Sequence, residues 1–193
     1  AANKLPDRKR AAVKADLEAF SEHYLETYFR GCSEAVKSEA PNHLYLGCRF
    51  AGGASAMVMR VAVRHCDVVS LNRYAYLVDD LALPAGLDRP IIIGEFHFGA
   101  LDRGPLASAL TPVLDQATRA VAYGLYLESA LRNPRIVGAH WFQYYDQPTT
   151  GRFDGENYQT GLVDICDTPY PETIAAVRRA AAQLYDTRAA ARP

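Results

Sequence analysis

Glu95 lies in the run Ile91 to Phe98 (IIIGEFHF), the strongest strand signal in the chain. Side chains alternate across a strand, so Ile91, Ile93, Glu95 and His97 are expected on one face and Ile92, Gly94, Phe96 and Phe98 on the other. A carboxylate that follows two isoleucines is costly to desolvate unless it is paired or reaches solvent at the strand end. Either an arginine such as Arg49 holds it as a structural group, or it stands at the strand end to do chemistry. Two neighbouring strands carry further candidates. In Cys66 to Tyr74 (CDVVSLNRY) the residues Val68, Ser70, Asn72 and Tyr74 share a face, and a tyrosine hydroxyl there can hold a nucleophilic carboxylate in one rotamer. A turn asparagine and a packing tyrosine explain the same letters. In Ile136 to Tyr144 (IVGAHWFQY) the residues Val137, Ala139, Trp141 and Gln143 share a face, so the chain's only tryptophan stands beside a strand end, as a core residue or as a stacking platform.

Half of the chain's aromatic residues fall at strand ends or in the loops that follow them: Tyr74, Tyr76, Phe96, Phe98, Trp141, Phe142, Tyr144, Tyr145, Phe153 and Tyr158. Apolar pyranose faces stack on such rings while nearby amides and carboxylates take the hydroxyls. The loop Asp146 to Asp164 (DQPTTGRFDGENYQTGLVD) adds Asp154, Glu156 and Asn157, as solvated loop residues or as the lining of a sugar subsite.

These residues need a scaffold. Helical spacing of Leu17, Phe20, Tyr24, Tyr28 and Cys32 predicts a first helix that starts at Pro6 and Asp7 and stops between Ser38 and Asn42. His43 to Phe50 (HLYLGCRF) reads as a strand, and Ser55 caps a helix that runs to His65. Cys66 to Tyr74 is the second strand, followed by a short helical stretch from Leu77 to Leu83 and a turn at Pro84 to Pro90. After the third strand, Ile91 to Phe98, come a long loop and a helix from about Pro112 to Arg132. Pro134 breaks that helix, the fourth strand follows, and a last helix spans about Pro171 to Ala190. Near-continuously apolar strands alternating with helices predict an α/β protein with a parallel sheet, as an open doubly wound sheet or a (β/α)8 barrel. No G-x-G-x-x-G follows the first strand, which counts against a dinucleotide fold. Arg49, Asn72, Tyr74, Glu95, His97, Trp141 and Gln143 all fall at strand C-terminal ends, where barrel enzymes place their chemistry. Four strand–helix units are half a barrel, since a complete one takes about 250 residues. Residues 1–193 are therefore expected to be the C-terminal half of a (β/α)8 barrel, with strands five to eight, beginning in the helix after strand four.

Composition excludes several classes. The chain has 193 residues, 49% hydrophobic and 22% charged, which is too apolar for a disordered tail. Its 21 Lys plus Arg against 22 Asp plus Glu give no positive excess for nucleic acid. No apolar run approaches the ~20 residues that cross a bilayer, so no membrane partner is expected. The polar start, Ala1 to Arg10, does not read as a signal peptide. Cys32, Cys48, Cys66 and Cys166 are widely spaced, without a C-x-x-C pair, so neither a metal site nor a disulfide is expected. Cys48 and Cys66 fall in the first two strands, where a thiol acts as a small hydrophobe.

The segments GEFHFG, GAHWFQYYDQP and DGENYQTGLVD together resemble the retaining glycoside hydrolases of clan A, and most closely the β-agarases of glycoside hydrolase family 50. HLYLGCRFA and CDVVSLNRY resemble that family's fifth and sixth strands. The resemblance implies that Glu95 is the nucleophile on the seventh strand, and that Trp141 is the eighth-strand aromatic near the cleaved sugar. It places Arg49, Asn72, Tyr74, His97, Gln143, Glu156 and Asn157 in substrate binding. It implies an agarose-type galactan as the carbohydrate partner, no metal or organic cofactor, and a secreted or periplasmic protein. The family's acid/base is a Glu after an Asn at the end of the fourth strand, which would lie in the missing N-terminal half of the barrel, so this chain alone is expected to be inactive. The carboxylates on nearby loops here are Asp102, Asp146, Asp154 and Glu156. A carbohydrate-binding half-barrel without catalysis and a different clan A glycosidase, such as a β-galactosidase or mannanase, are the alternatives.

Overall fold

The computed structural model describes residues 6–191, and these form two compact units. The first comprises Ala1–Val69 and Leu83–Arg89. Its long helix α1 (Asp7–Glu39) follows Pro6 and carries Asp7 in its first turn and Lys37 in its last, each charge placed to suit the helix dipole. The helix is as predicted, but its packed face is not. Phe29 is buried with Leu25, Cys32 and Val36 beside it, whereas Leu17, Phe20, Tyr24 and Tyr28 are exposed. Helix α2 (Ala56–His65) brings Val61 and Ala62 into one cluster with Phe29, so the apolar stripe that counts is the one over that contact. Ser55 caps α2, its hydroxyl accepting from the Val58 N–H at 3.3 Å.

The strand expected at His43 to Phe50 shrinks to β1 (Arg49–Phe50). Upstream, Tyr45 gives its N–H to the Asp67 carboxylate at 2.7 Å and accepts the Asp67 N–H at 2.9 Å, a side-chain clasp in place of a strand ladder. Lys37, 2.8 Å from that carboxylate, and the Tyr45 amide hold it below the usual carboxylate range. Cys66 is buried as the residue that ends α2, and Cys48 is half-buried ahead of β1, so neither lies in a strand. All four cysteines are free thiols.

The second unit, Ser70–Ala82 with Pro90–Pro193, holds the sheet that carries Glu95. The second predicted strand shortens to β2 (Val69–Asn72). It neighbours β3 (Ile91–Phe96), which pairs in parallel with β5 (Ile136–Trp141). The protein is thus α/β with parallel pairing, as expected. No helix forms between Leu77 and Leu83. Asn133 directs its Nδ2 at the carbonyls of Val78, Asp79 and Leu81, 2.8–3.2 Å away, and so takes the acceptors that a helix would have used.

Helix α3 (Gln116–Arg132) begins four residues later than predicted. Pro112 and Val113 are drawn into pairing with Gly99, and Asp115 caps the helix by accepting the Thr118 N–H at 2.7 Å. Two strands that no sequence signal indicated, β4 (Ala107–Ser108) and β6 (Tyr158–Gln159), pair in parallel and tie together the loops that follow β3 and β5. Gly99 permits this approach, since a Cβ there would lie 2.4 Å from the Gln159 carbonyl oxygen. Helix α4 (Pro171–Ala190) matches the sequence reading, with proline in its first turn.

The alternation assumed along the third strand fails. Ile91, Ile93, Phe96 and Phe98 are each no more than 1% exposed, while Ile92 and Glu95 are half-buried. A register shift between Ile93 and Phe96 resets the faces, so Glu95 does not share the face of Ile91 and Ile93. Phe96 stacks on Tyr126 of α3, with ring centroids 4.1 Å apart and planes 5° apart. Among the described residues no helix is long and apolar enough to cross a membrane, and no group of three or more His, Cys, Asp or Glu side chains is placed to hold a metal ion.

Candidate active site

Glu95 is the fifth residue of β3, and the neighbouring chain fixes it twice. Its carbonyl accepts the Arg73 N–H at 2.9 Å, and its Oε2 accepts the Tyr74 hydroxyl at 2.5 Å. The backbone bond sets where the side chain starts, and the phenol sets where it points. Tyr74 is itself packed against the His97 ring, with centroids 4.5 Å apart.

His97 is 1% exposed. Its Nε2 accepts the Leu110 N–H at 3.0 Å, which leaves the ring proton on Nδ1, 3.1 Å from the Phe142 carbonyl oxygen. Both nitrogens are therefore spent on backbone, with none left for the sugar hydroxyl that the sequence reading assigned to this residue. Burial pushes the imidazole pKa down to about 4, against a smaller upward pull from the Phe142 carbonyl. The unfolded chain takes up this proton near pH 6.5 and the folded one only near 4. The stability due to the neutral ring is thus complete above about pH 6.5 and declines as the pH falls toward 4. In an NMR titration the His97 ring signals should stay unchanged down to about pH 5, and a midpoint near 6.5 would show a ring open to water.

Beyond β5, the loop from Gln147 to Tyr158 carries a second group of charges. Arg152 lies 2.5 Å from Asp154 and 3.6 Å from Glu156. Its pKa is raised, first by the hydrogen bond to Asp154 and then by the charges of Asp154, Glu156 and Glu95, so one guanidinium serves three carboxylates. Glu156 also accepts from Gln147 Nε2 at 2.9 Å, and Gln147 Oε1 accepts the Tyr158 N–H at 2.7 Å. Asn157 reaches the Thr149 carbonyl at 3.4 Å, and Gln143 the Tyr145 carbonyl at 2.9 Å. Asn72 ends β2 half-buried, with its Oδ1 unpaired among the described residues. Arg49 is an exposed residue of the first unit.

Trp141 is half-buried at the end of β5. Its Nε1 donates to the Thr160 carbonyl at 2.8 Å, and its ring meets Phe96 edge-on at 5.3 Å and Tyr123 at 5.5 Å. The strand-end aromatics accordingly divide. Phe96 and Phe98 are buried against α3, while Tyr76, Tyr144, Tyr145 and Phe153 are exposed. Two of the loop carboxylates are likewise committed to structure. Asp146, 1% exposed, accepts from the Thr160 and Gly161 amides and the Tyr170 hydroxyl. Asp102 accepts the amide and side-chain N–H groups of Gln116 at the start of α3.

Sequence reasoning missed two arginines. Arg152 is flanked by Gly151 and by the acids Asp154 and Glu156, a charge pattern legible in GRFDGE. Arg119 falls in helical register with Gln116, Tyr123 and Tyr126, all of which are buried.

No protein-family model matches the chain. Over 186 residues it is 41% identical to β-agarase A of Vibrio sp. (strain JT0107), covering 92% of this chain. Two solved structures superpose closely. An agarase, AgWH50C, is 43% identical with a TM-score of 0.84 over 90% of the chain, and an exo-β-agarase is 43% identical with a TM-score of 0.86 over 96%. Its homologues are β-agarases. The chain spans 19% of the length of the Vibrio β-agarase A and 28% and 25% of the two solved agarases. The likeness covers nine-tenths or more of the chain.

Proposed function

We propose that the chain is the C-terminal half of the catalytic (β/α)8 barrel of a clan A, β-agarase-like glycoside hydrolase that cleaves β-galactosidic links in agarose-type polysaccharide with retention. Residues 1–193 would supply strands five to eight, beginning in the helix after strand four. The observation that carries this reading is Glu95 at a strand end with its Oε2 held by Tyr74 at 2.5 Å, in a chain whose homologues are β-agarases. The Glu95 carboxylate would attack the anomeric carbon. A glycosyl-enzyme forms as the leaving oxygen takes a proton from an acid, and water then releases the sugar. The acid/base would come from the missing N-terminal half, a Glu about 5–5.5 Å from Glu95 in the closed barrel. Asp102 and Asp146 support this assignment, because their oxygens are engaged with backbone and core groups. Asn72, Gln143, Glu156 and Asn157 would bind substrate from the rim of the second unit, and Arg49 of the first unit is assigned to substrate binding by the agarase likeness alone. Trp141, half-buried at the end of β5, would stand near the cleaved sugar. No cofactor, nucleic acid or membrane enters this mechanism, and the agarase likeness suggests an exported protein.

The isolated chain would then bind sugar weakly, hydrolyse none and self-associate, because β5 ends the sheet and Leu17, Phe20 and Tyr24 are exposed. Sedimentation and agarose hydrolysis measured on one sample test this. Co-expression with the upstream half should restore cleavage. A stable monomer that cleaves agarose by itself would overturn both the half-barrel and the external acid. Cleavage of mannan or lactose in place of agarose by the restored enzyme would identify a different clan A glycosidase.

A further inference from the structure

The mechanism above gives His97 no task, yet its ring is joined to four segments of the second unit. Its Nε2 accepts the Leu110 N–H at 3.0 Å, in the segment after β4, and its Nδ1 lies 3.1 Å from the Phe142 carbonyl oxygen, just past β5. The Tyr158 ring of β6 stands edge-on to it, with centroids 6.3 Å apart. A ring bonded at both nitrogens cannot turn without breaking a hydrogen bond, and at 1% exposure it has little access to water that would replace one. His97 is therefore a fixed wall. The fourth segment is the stretch after β2, where the Tyr74 ring lies against this wall with centroids 4.5 Å apart and planes inclined by 46°. Tyr74 is half-buried and stands beyond the last residue of β2, outside any strand or helix, so no ladder holds its backbone.

The contact matters because of what Tyr74 does at its other end, where its hydroxyl donates to Glu95 Oε2 at 2.5 Å. With the imidazole gone, the phenol would gain room to swing off Glu95, and the carboxylate would be free to take other rotamers. We propose that His97 is a positioning residue for the nucleophile: by walling in the Tyr74 ring it keeps the phenol on Glu95, and so couples the segments after β4 and β5 to the orientation of the attacking carboxylate. The proposal rests on the glycoside hydrolase reading of Glu95 given above. The coupling needs a neutral ring, since a protonated one would carry N–H on both nitrogens and lose the bond from Leu110. A group that acts through a neighbour in this way changes the geometry of attack rather than the binding of substrate. Misplacement of about 1 Å costs a reaction up to about 10²-fold in rate.

The test measures kcat and KM on agarose oligosaccharides for the complete enzyme with Tyr74→Phe, His97→Gln, His97→Phe, and Tyr74→Phe combined with His97→Gln. Glutamine offers an acceptor to the Leu110 N–H but no ring, so His97→Gln should lower kcat by about 10²-fold with KM little changed. Tyr74→Phe removes the hydroxyl itself and should cost at least as much. The double variant should be no slower than Tyr74→Phe alone, because His97 acts through a bond that is already absent. His97→Phe puts a ring back beside Tyr74 while giving up both hydrogen bonds. It should recover most of the lost kcat although the protein melts earlier, whereas in a purely structural role activity would follow stability. Losses that multiply in the double variant, a change confined to KM, or kcat that tracks Tm across the series would overturn the proposal. His97→Asn keeps the bond to Phe142 in place of that from Leu110, and is read in the same way if His97→Gln does not fold. Crystal structures of the His97 variants give a readout independent of turnover. If the unsubstituted enzyme cleaves no agarose, the glycosidase reading fails, and a phenol drawn off Glu95 in His97→Gln but not in His97→Phe still supports the coupling. A phenol that remains within hydrogen-bond distance of Glu95 in His97→Gln overturns it.

Discussion

Glu95→Gln in the complete enzyme is expected to lower turnover by at least about 10³-fold, the scale on which other hydrolases lose activity when their nucleophile is removed. The amide keeps the size of the carboxyl group and still presents an oxygen to the Tyr74 hydroxyl, so the rim geometry and sugar affinity should change little. It has no lone pair of carboxylate strength to attack the anomeric carbon, so the covalent intermediate cannot form. An activated aryl galactoside isolates this step, because its leaving group departs with little help from the acid. Glu156→Gln serves as the control. It lies in the same charge cluster, with Oε2 taken by Gln147, and as a substrate-binding residue it should raise KM while leaving kcat for the aryl substrate little changed. Near-wild-type rates in Glu95→Gln, with the loss in Glu156→Gln instead, would reassign the nucleophile.

The largest effect on stability is expected at Arg119. This side chain is 0% exposed and joins three parts of the second unit. Its Nε donates to the Phe98 carbonyl and its Nη2 to the Gly161 carbonyl, both at 2.7 Å, and Nη1 reaches Gln116 Oε1 at 3.3 Å. The guanidinium also sits 5.3 Å from the centre of the Trp141 ring and 5.2 Å from that of Tyr170. Burial lowers its pKa to about 10, against an upward pull from Asp146, so it remains charged at neutral pH. Arg119→Met removes the cost of burying that charge, but it leaves two buried carbonyls without a donor, at ~1–3 kcal/mol each. The unpaired carbonyls should outweigh the relief, for a net loss of about 2–4 kcal/mol. Arg119→Lys keeps the charge but reaches fewer acceptors, and should fall between. Urea unfolding followed by tryptophan fluorescence reads this directly, since Trp141 lies against the guanidinium. A Met variant within about 0.5 kcal/mol of wild type would show that Phe98 and Gly161 find other donors.

Arg119 also links stability to the site. It holds the chain just beyond Glu95, through Phe98, and the start of the segment after β6, through Gly161. Loosening it should blur the placement of the catalytic loops before the unit unfolds, so kcat should fall in Arg119→Lys even where the protein remains folded.

Local pattern was enough to place α1, α2 and α4, to order β2, β3 and β5, and to put Glu95 at a strand end, because each of these depends on residues a few positions apart. Ser55 before an amphipathic run, and Pro171 at the head of one, mark helix starts whatever surrounds them. The motifs around Glu95 and Trp141 also pointed to the agarases before any fold was drawn. Which way side chains face was decided in three dimensions. A register shift between Ile93 and Phe96 separates Glu95 from the face of Ile91 and Ile93, and the period-two rule cannot register one irregular step. The missing helix after β2 has the same kind of cause, since Asn133, more than 50 residues away in sequence, takes the carbonyls that helix would have needed. His97 carries the letter of a sugar site, yet it spends both nitrogens on backbone. A residue's type and spacing state what it is able to do, but the demand that every buried polar group be paired decides which of those capacities remain free, and that demand is met by partners far along the chain.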